Sequence, residues 1–430
     1  MLRPVVYLPS ALEIVQVIRE LTAAPLVLGG SGASLDPQGV LEFLHGDYII
    51  VSDGEKSFVE LLKALSRDES PADIPGVGMW YQGKFHVTPP QLTCFPLGNP
   101  RLGRWVDLTP YEKMGSSYTV QTKRGCRMRC IYCTYNQVLE GNRLRLRSPV
   151  EVVDEIEEAF YKFKPETFEF VDSVFNDPLG HCQEILEEIV RRPWKARFTT
   201  MGVSPKHLDT QLLHLMQRAG FSSFMITPES ASEAMLTNYQ KGFGIEDLHR
   251  AAEAINKFSF PVFWYFLVGG PGETTRTLQE TLEFIGRHLI RKESPPYNLA
   301  HIFLGVRIYP GTKLWRIALE EGFIHDRSDP LRPLWYLSRE LDLDVTMRQL
   351  YEAACRWPEI ALGDVEKFFP LTKILGVSGK VFSLPKPYWQ HLPSVNRILI
   401  KLGLLSLFQP TGIPARLRES LALQRLPFKQ

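Results

Sequence analysis

Hydrophobic and polar positions along the chain alternate between stretches of strand and of helix period. Near the N-terminus an apolar run at Val5–Leu8 leads into a helical pattern over Leu12–Leu21. A second run, Pro25–Leu28, ends in Gly29-Gly30, and a third, Tyr48–Val51, feeds Ser-Asp-Gly-Glu-Lys-Ser and another helical pattern at Phe58–Leu65. Strands alternating with helices imply parallel βαβ units. Residues 71–117 hold seven of the 32 prolines and little periodicity, which predicts an ordered linker.

From about Tyr118 the alternation resumes for roughly two hundred residues. Strands are predicted at Tyr118–Thr122, Thr167–Val171, Arg197–Thr200, Ser223–Ile226, Val262–Val268 and Ile302–Ile308. One intervening helix has a clean start, with Ser148 as N-cap, Pro149 at the first helical position and Glu151 completing a capping box. Six strand–helix repeats predict a partial (β/α)6 TIM-like barrel over 118–325, with chemistry at the C-terminal ends of its strands. The fold class is therefore α/β. The barrel is preceded by a truncated Rossmann-like α/β domain at 1–70, which has only three of the usual five or six strands unless others come from elsewhere. Residues 326–430 read as an irregular, helical C-terminal region. No fixed-period repeat or low-complexity tract is present.

With 430 residues, a formal charge of +1 and 44% hydrophobic residues, the chain is long and apolar enough for two or three cored domains. It is too balanced for a disordered or polyanion-seeking protein. From Leu371 onward, however, nine Lys/Arg face one Asp/Glu, so this tail carries +8 and the rest −7. Its interleaved Leu, Ile, Phe and Trp would lie on anionic lipid or on a partner, or cover the preceding domain. No stretch reaches the ~20 apolar residues of a spanning helix, and the N-terminus lacks a signal-peptide pattern, so a cytoplasmic protein is expected.

Six cysteines in this length do not make a disulfide framework. Three crowd into Thr122-Lys-Arg-Gly-Cys126-Arg-Met-Arg-Cys130-Ile-Tyr-Cys133, directly after the first barrel strand, while Cys94, Cys182 and Cys355 are scattered. Three close thiolates suit three irons of a cubane [4Fe–4S] cluster and leave the fourth iron open. Lys123, Arg124, Arg127 and Arg129 would offset the cluster's charge. The alternative is structural zinc, which wants four protein ligands, and only His181 or Cys182 could supply the fourth.

The CxxxCxxC spacing with Tyr132 before the last cysteine resembles the radical S-adenosylmethionine superfamily. Further segments resemble its signatures in order: Phe170–Asp177, with Asp172–Asn176 like the DxxFN pattern of the cobalamin-associated branch; Thr227-Pro-Glu229-Ser230 with Leu236 and Lys241-Gly242; Phe266–Thr274 with Gly269, Gly270 and Gly272; and Arg307-Ile-Tyr-Pro310-Gly311-Thr312. The front segment is similar to the later part of a cobalamin-binding domain. Its Ser10-Ala11-Leu12 matches an S-x-L turn, Gly29-Gly30 a glycine pair and Asp53-Gly54-Glu55-Lys56, imperfectly, a GEGE turn. The first two strands of such a domain and the cobalt-ligating D-x-H-x-x-G histidine are missing.

The resemblance implies that S-adenosylmethionine chelates the open iron and that the reduced cluster cleaves it to a 5′-deoxyadenosyl radical. It further implies C-methyl transfer assisted by cobalamin; the alternatives are radical cyclisation or oxidoreduction without cobalamin, or a non-catalytic iron–sulfur module. The substrate would be a small molecule or a lipid. The electron would come from a donor such as flavodoxin or ferredoxin, and no nucleic acid is expected.

Residue by residue, Glu229 would accept hydrogen bonds from ribose or an amino group, or else cap the helix starting near Ser230. Gly269 and Gly270 would let adenine approach the backbone, or serve a tight turn. Asp172 would meet an ammonium at the site mouth, or be a solvated turn residue. Arg307 belongs with the cofactor-binding set, as do Ser10 and Leu12 with the corrinoid's base and Gly29 and Gly30 with its nucleotide tail. Arg143, Arg145 and Arg147, alternating at strand period, would hold a carboxylate or phosphate or line a solvent-facing edge.

Overall fold

The computed structural model describes residues 8–91, 100, 102–113, 116–290, 298–325, 331–363, 374–379 and 381–425. The chain divides into two compact units: Met1–Phe95 with Ile131–Arg143 and Arg307–Trp335, and Pro96–Cys130 with Leu144–Val306 and Tyr336–Gln430.

The first unit is built on a four-stranded sheet, β1 (Val27–Leu28), β2 (Tyr48–Ile50), β3 (Val77–Tyr81) and β4 (Lys84–Val87), in that order. Strands β1 and β2 are parallel, as the apolar runs predict, with Val27 opposite Tyr48. The next two strands correct the sequence reading, because residues expected in a linker form a hairpin. Strand β3 pairs antiparallel with β2, Ile50 opposite Val77, and then with β4. The turn is Gln82-Gly83, both at positive φ (49° and 77°), which matches the right-handed strand twist of a two-residue hairpin. Frequent prolines on either side obscured this short alternation.

A second correction concerns the front. Leu8–Leu21 is one helix, so Ser10-Ala11-Leu12 is helical rather than a turn. The remainder of the expected first strand lies outside the described residues. The helix packs Val15, with Leu8 and Leu12, against Val40, Leu41 and Ile49.

In the second unit, strands β5 (Tyr118–Val120), β8 (Phe168–Phe170) and β9 (Phe198–Thr200) form a parallel sheet in that order. Single parallel bridges, Phe198 to Phe221 and Val203 to Ile226, lead on to β10 (Phe224–Glu229). That strand opens a second parallel sheet with β11 (Val262–Val268), β12 (Leu299–Leu304) and a strand at Ile360–Leu362. The last strand adds to the irregular, helical reading of 326–430 an element that reading did not contain. It is only three residues long, and all three are buried, so it shows no alternation to read. Strand β12 ends earlier than its apolar run because Gly305 turns the chain at φ 85°.

The helices on these strands follow the expected period. Leu179–Arg191 buries His181, Cys182, Ile185, Leu186 and Ile189. Thr210–Ala219 is capped by Asp209, which accepts from the Leu212 amide at 2.8 Å, and is closed by Gly220 in the left-handed region. Ser148 does cap Pro149–Lys162 by position, but its side chain makes no capping bond, so the expected box is not formed. The core is aromatic. Phe170 stacks on Phe175, Phe198 and Phe221 at 4.6–5.9 Å between ring centroids. Phe263, Trp264 and Phe266 are buried as well, so the Pro261–Phe266 run belongs to the core.

Candidate functional site

The cysteine segment leaves a short antiparallel pair, β6 (Lys123–Gly125) with β7 (Leu144–Leu146), that follows β5 in the second unit. Cys126 and Cys130 are buried and Cys133 is half-buried; none is in a disulfide. Cys126 and Cys130 belong to the second unit, whereas Tyr132, half-buried, and Cys133 belong to the first.

The root of this segment is anchored to the loop after β8. The Asp172 carboxylate accepts the Thr122 amide at 2.8 Å, the Thr122 hydroxyl at 2.6 Å and the Lys123 amide at 3.3 Å. The Lys123 ammonium lies 3.9 Å from Asp172 and donates to the Phe175 carbonyl at 2.8 Å. Burial pushes the Asp172 carboxyl up and the Lys123 ammonium down, and each charge, with these hydrogen bonds, opposes the shift of the other. Asp172 is thus not at an open mouth. It is 3% exposed, and its oxygens are occupied by the backbone that leads into Cys126.

The next residues extend the clamp. Asn176 donates to the Ser204 carbonyl at 2.9 Å and accepts from the Ser204 amide at 2.8 Å, tying this loop to the one after β9. Asp177 pairs with Arg127, which stands directly after Cys126. Lys123 and Arg127, read from sequence as charges facing a cluster, are therefore both engaged by the Asp172–Asp177 loop. Thr122, Asn176 and Glu273 are site residues the sequence reading missed. For Asn176, the signal was its place inside the DxxFN resemblance.

At the end of β10, Glu229 takes a positive φ of 64° beside a register shift and pairs with Lys241, both side chains buried. A non-glycine residue held there marks stored strain. Glu229 does not cap the following helix; Ser232 occupies that position. Ser230 shares a hydrogen bond with Thr281 at 3.0 Å. After β11, the amides of Gly269 and Gly270 donate to the Glu273 carboxylate at 2.6 and 3.1 Å. Burial pushes that carboxyl up to about 7. A Cβ at Gly270 would lie 2.3 Å from the Tyr239 hydroxyl, and one at Gly269 2.4 Å from Leu337. On the side a Cβ would occupy, both glycines stand against the protein's own side chains, as a tight turn requires.

Around the strand ends opens a cavity of about 590 Å³, lined by Arg127, Arg129, Lys206, His207 and Gln240 with Asp177 as its carboxylate. Its size suits a small molecule, and among its charged side chains three cations face one carboxylate. Of the alternating arginines, Arg143 is exposed and Arg145 half-buried, so the stretch faces solvent in part. Arg147 is buried, 2.7 Å from Glu155, and donates to the Gln121 carbonyl at 2.7 Å.

In the first unit the expected residues stand in more open surroundings. Gly30, at φ 97°, has no atom within 4 Å of where a Cβ would be, and Gly29 faces Ile50. The Ser34 hydroxyl donates to the Gly30 carbonyl at 3.1 Å and accepts the Ser52 amide at 2.9 Å, which fixes this loop. Ser10 is exposed and Leu12 half-buried. Arg307 donates to the Arg332 carbonyl at 3.1 Å and lies over the Tyr309 and Trp335 rings.

The donor set fits an iron–sulfur cluster: three thiols within eight residues, with arginines between them. The two candidates for the fourth ligand of a zinc site both lie inside the protein. Cys182 is buried, its thiol pushed up to about 12 by burial, and the His181 ring bonds the Arg147 carbonyl at 2.8 Å.

Comparison with known proteins agrees with this assembly. The model of the radical SAM superfamily matches residues 120–285. An uncharacterised methyltransferase of Pyrococcus horikoshii is 23% identical over 79% of this chain and 74% of its own length. Tryptophan 2-C-methyltransferase of Streptomyces laurentii is 24% identical over 63% of this chain, which spans only 55% of that relative. Among solved structures, the radical S-adenosylmethionine methyltransferase TsrM of Kitasatospora setae, with cobalamin and a [4Fe-4S] cluster bound, is 21% identical. It aligns over 93% of this chain and 84% of its own, with a TM-score of 0.75, and so shares its fold. With the cysteine spacing and the strand-end loops in their order, residues 120–285 carry a radical SAM domain.

Proposed function

We propose that the protein is a radical S-adenosylmethionine enzyme of the cobalamin-associated type, transferring a methyl group to carbon of a small-molecule or lipid substrate. The observation that carries this reading is the cysteine segment's anchorage, through Thr122 and Lys123, on the buried Asp172 at the C-terminal end of a parallel strand. When bound, a cluster with S-adenosylmethionine supplies a 5′-deoxyadenosyl radical and a corrinoid supplies a methyl carrier.

The chain's own share is to bind, orient and exclude water. Cys126, Cys130 and Cys133 are the ligands assigned to the cluster. Asp172 and Asn176 hold the loop after β8 in register with those after β5 and β9. The rigid Glu229–Lys241 pair and the Glu273-braced glycine turn shape the neighbouring strand ends. The cationic cavity beside Arg127 and Arg129 accommodates a small anionic group. Cobalamin use is supported by the fold shared with TsrM and by the glycine pair after β1. The electron would arrive from a small redox protein such as flavodoxin or ferredoxin.

A second reading, radical cyclisation or oxidoreduction without a corrinoid, is favoured by one observation. The front sheet has a single parallel strand pair before its hairpin, small for a doubly wound domain.

Anaerobic reconstitution with iron and sulfide tests the first step. The protein is expected to turn brown and, once reduced, to release 5′-deoxyadenosine; Cys126→Ala, Cys130→Ala and Cys133→Ala are each expected to lose both. A wild-type protein that stays colourless or takes up zinc overturns the reading. Assay of cobalamin in protein purified from cells supplied with it separates methyl transfer from the second reading.

A further inference from the structure

We infer that the C-terminal region of the second unit is a peripheral docking surface for an anionic lipid bilayer. The observation is a set of large apolar side chains left in solvent in a stretch of sequence with an excess of positive charge. Ile374, Val377, Phe382, Ile398, Leu402 and Leu407 are each more than half exposed. They are not the residue of a badly packed helix. Leu392–Lys401 buries Leu392, Asn396 and Leu399 on one side, and Ile398, with Leu402 one turn on, is left facing away. In the same way Leu375 packs into the cluster of Phe263, Leu299, Ala361 and Leu392, while its neighbours Ile374 and Val377 are exposed. Each segment therefore has an inner face committed to the core and an outer aliphatic face without an apolar neighbour to justify it.

Two features favour lipid over a protein partner. Protein-binding surfaces concentrate their energy in Trp, Tyr and Arg, whereas this set is Ile, Val, Leu and one Phe, the chemistry of an acyl-chain interior. Charge points the same way, since residues 371–430 carry +8 with a single acidic residue and the rest of the chain carries −7. Of these cations Arg397 pairs with Glu359 and Lys386 with Glu166, while Lys401 and Arg418 are exposed. Lys401 stands between Ile398 and Leu402, exposed like them, so a cation and two apolar anchors occupy one turn. Among the described residues no helix is long and apolar enough to cross a membrane, so the contact is one of lying on the surface.

The test uses the full chain and flotation with vesicles of phosphatidylcholine alone or of phosphatidylcholine with phosphatidylserine. It needs neither cluster nor activity, so it stands or falls apart from the proposed chemistry. The expected result is at least about tenfold stronger binding to the anionic vesicles, weakened by raised salt. The combined variant Val377→Glu, Leu402→Glu and Leu407→Glu is expected to lose at least about tenfold in that binding. The three side chains are exposed, so the variant should keep the wild-type melting temperature, and one that does not is replaced by Leu402→Ser with Leu407→Ser. Wild-type protein that ignores anionic vesicles overturns the inference, as does a folded variant that binds them unchanged. A wild-type dimer that the variant converts to monomer, without vesicle binding, would assign the surface to a second copy instead.

Discussion

The strand-end loops of the second unit and the front sheet of the first both carry short motifs, yet they treat those motifs differently. Around β8 to β11 the polar residues point inward and are paired: Asp172 with Thr122 and Lys123, Glu229 with Lys241, Glu273 with two glycine amides. In the front unit Ser10 is exposed, and Gly30 turns in open space, held only through its carbonyl by Ser34. Buried polar groups are costly unless satisfied, so the first set must be in register for the loops to exist at all. The second set costs little whether or not a ligand arrives. Motif residues in the second unit thus double as structure, whereas in the front unit Ser10 and Gly30 stand open.

That contrast can be broken by substitution. The largest effect is expected for Asp172→Ala, which removes the main opposite charge beside the buried Lys123 ammonium; the loss should be about 3–5 kcal/mol by denaturant unfolding. A loss below about 1 kcal/mol would mean that the loop is held by other contacts.

Next comes Glu273, whose folded pKa of about 7 stands above its ordinary 4.5. The folded chain binds this proton more tightly than the unfolded one does. Its stabilising contribution is complete below pH 4.5 and is lost as pH rises to about 7, by about 3 kcal/mol. Glu273→Gln keeps an acceptor for the glycine amides without the charge. Between pH 5 and 8 it should therefore lose less stability than the wild type, and parallel melting curves would remove the effect.

The two glycine sites offer a smaller test. Gly270→Ala drives a methyl against Tyr239 and should cost about 1–3 kcal/mol from crowding, with backbone strain absent because its φ is not positive. Gly30→Ala meets no neighbour but must hold a positive φ, and about 1–2 kcal/mol is expected from that alone. Added cobalamin should change the cost at Gly30 and not at Gly270 if the front loop takes a corrinoid.

Smallest of all is Ser10→Ala, on an exposed helical position, expected to move stability by less than about 0.5 kcal/mol. Any larger shift, seen only with cobalamin present, would place Ser10 at the ligand.

Legibility followed length and periodicity. Six of the parallel strands were readable because each is an apolar run between helical patterns, and β11, seven residues long, matches its prediction at both ends. The hairpin Val77–Val87 and the strand Ile360–Leu362 were not. One is surrounded by prolines, and the other is too short to show a period. Within the site, the cysteines were legible from spacing alone, and Glu229 and Lys241 from their signature. Their pairing was not, because a run of residues names donors without saying which acceptor each will meet.

By itself, then, the sequence determined what depends on neighbours in the chain: the α/β order of elements, the three thiols within eight residues, the glycines at strand ends and the charge of the tail. Only the tertiary structure decided that Asp172 faces inward to Thr122 rather than outward to a ligand, and that Leu399 is core while Leu402 is surface. The physical reason is that burial and partner choice are properties of what packs from elsewhere. A carboxylate or a leucine acquires its role only when the distant residue that satisfies it, or fails to cover it, is in place.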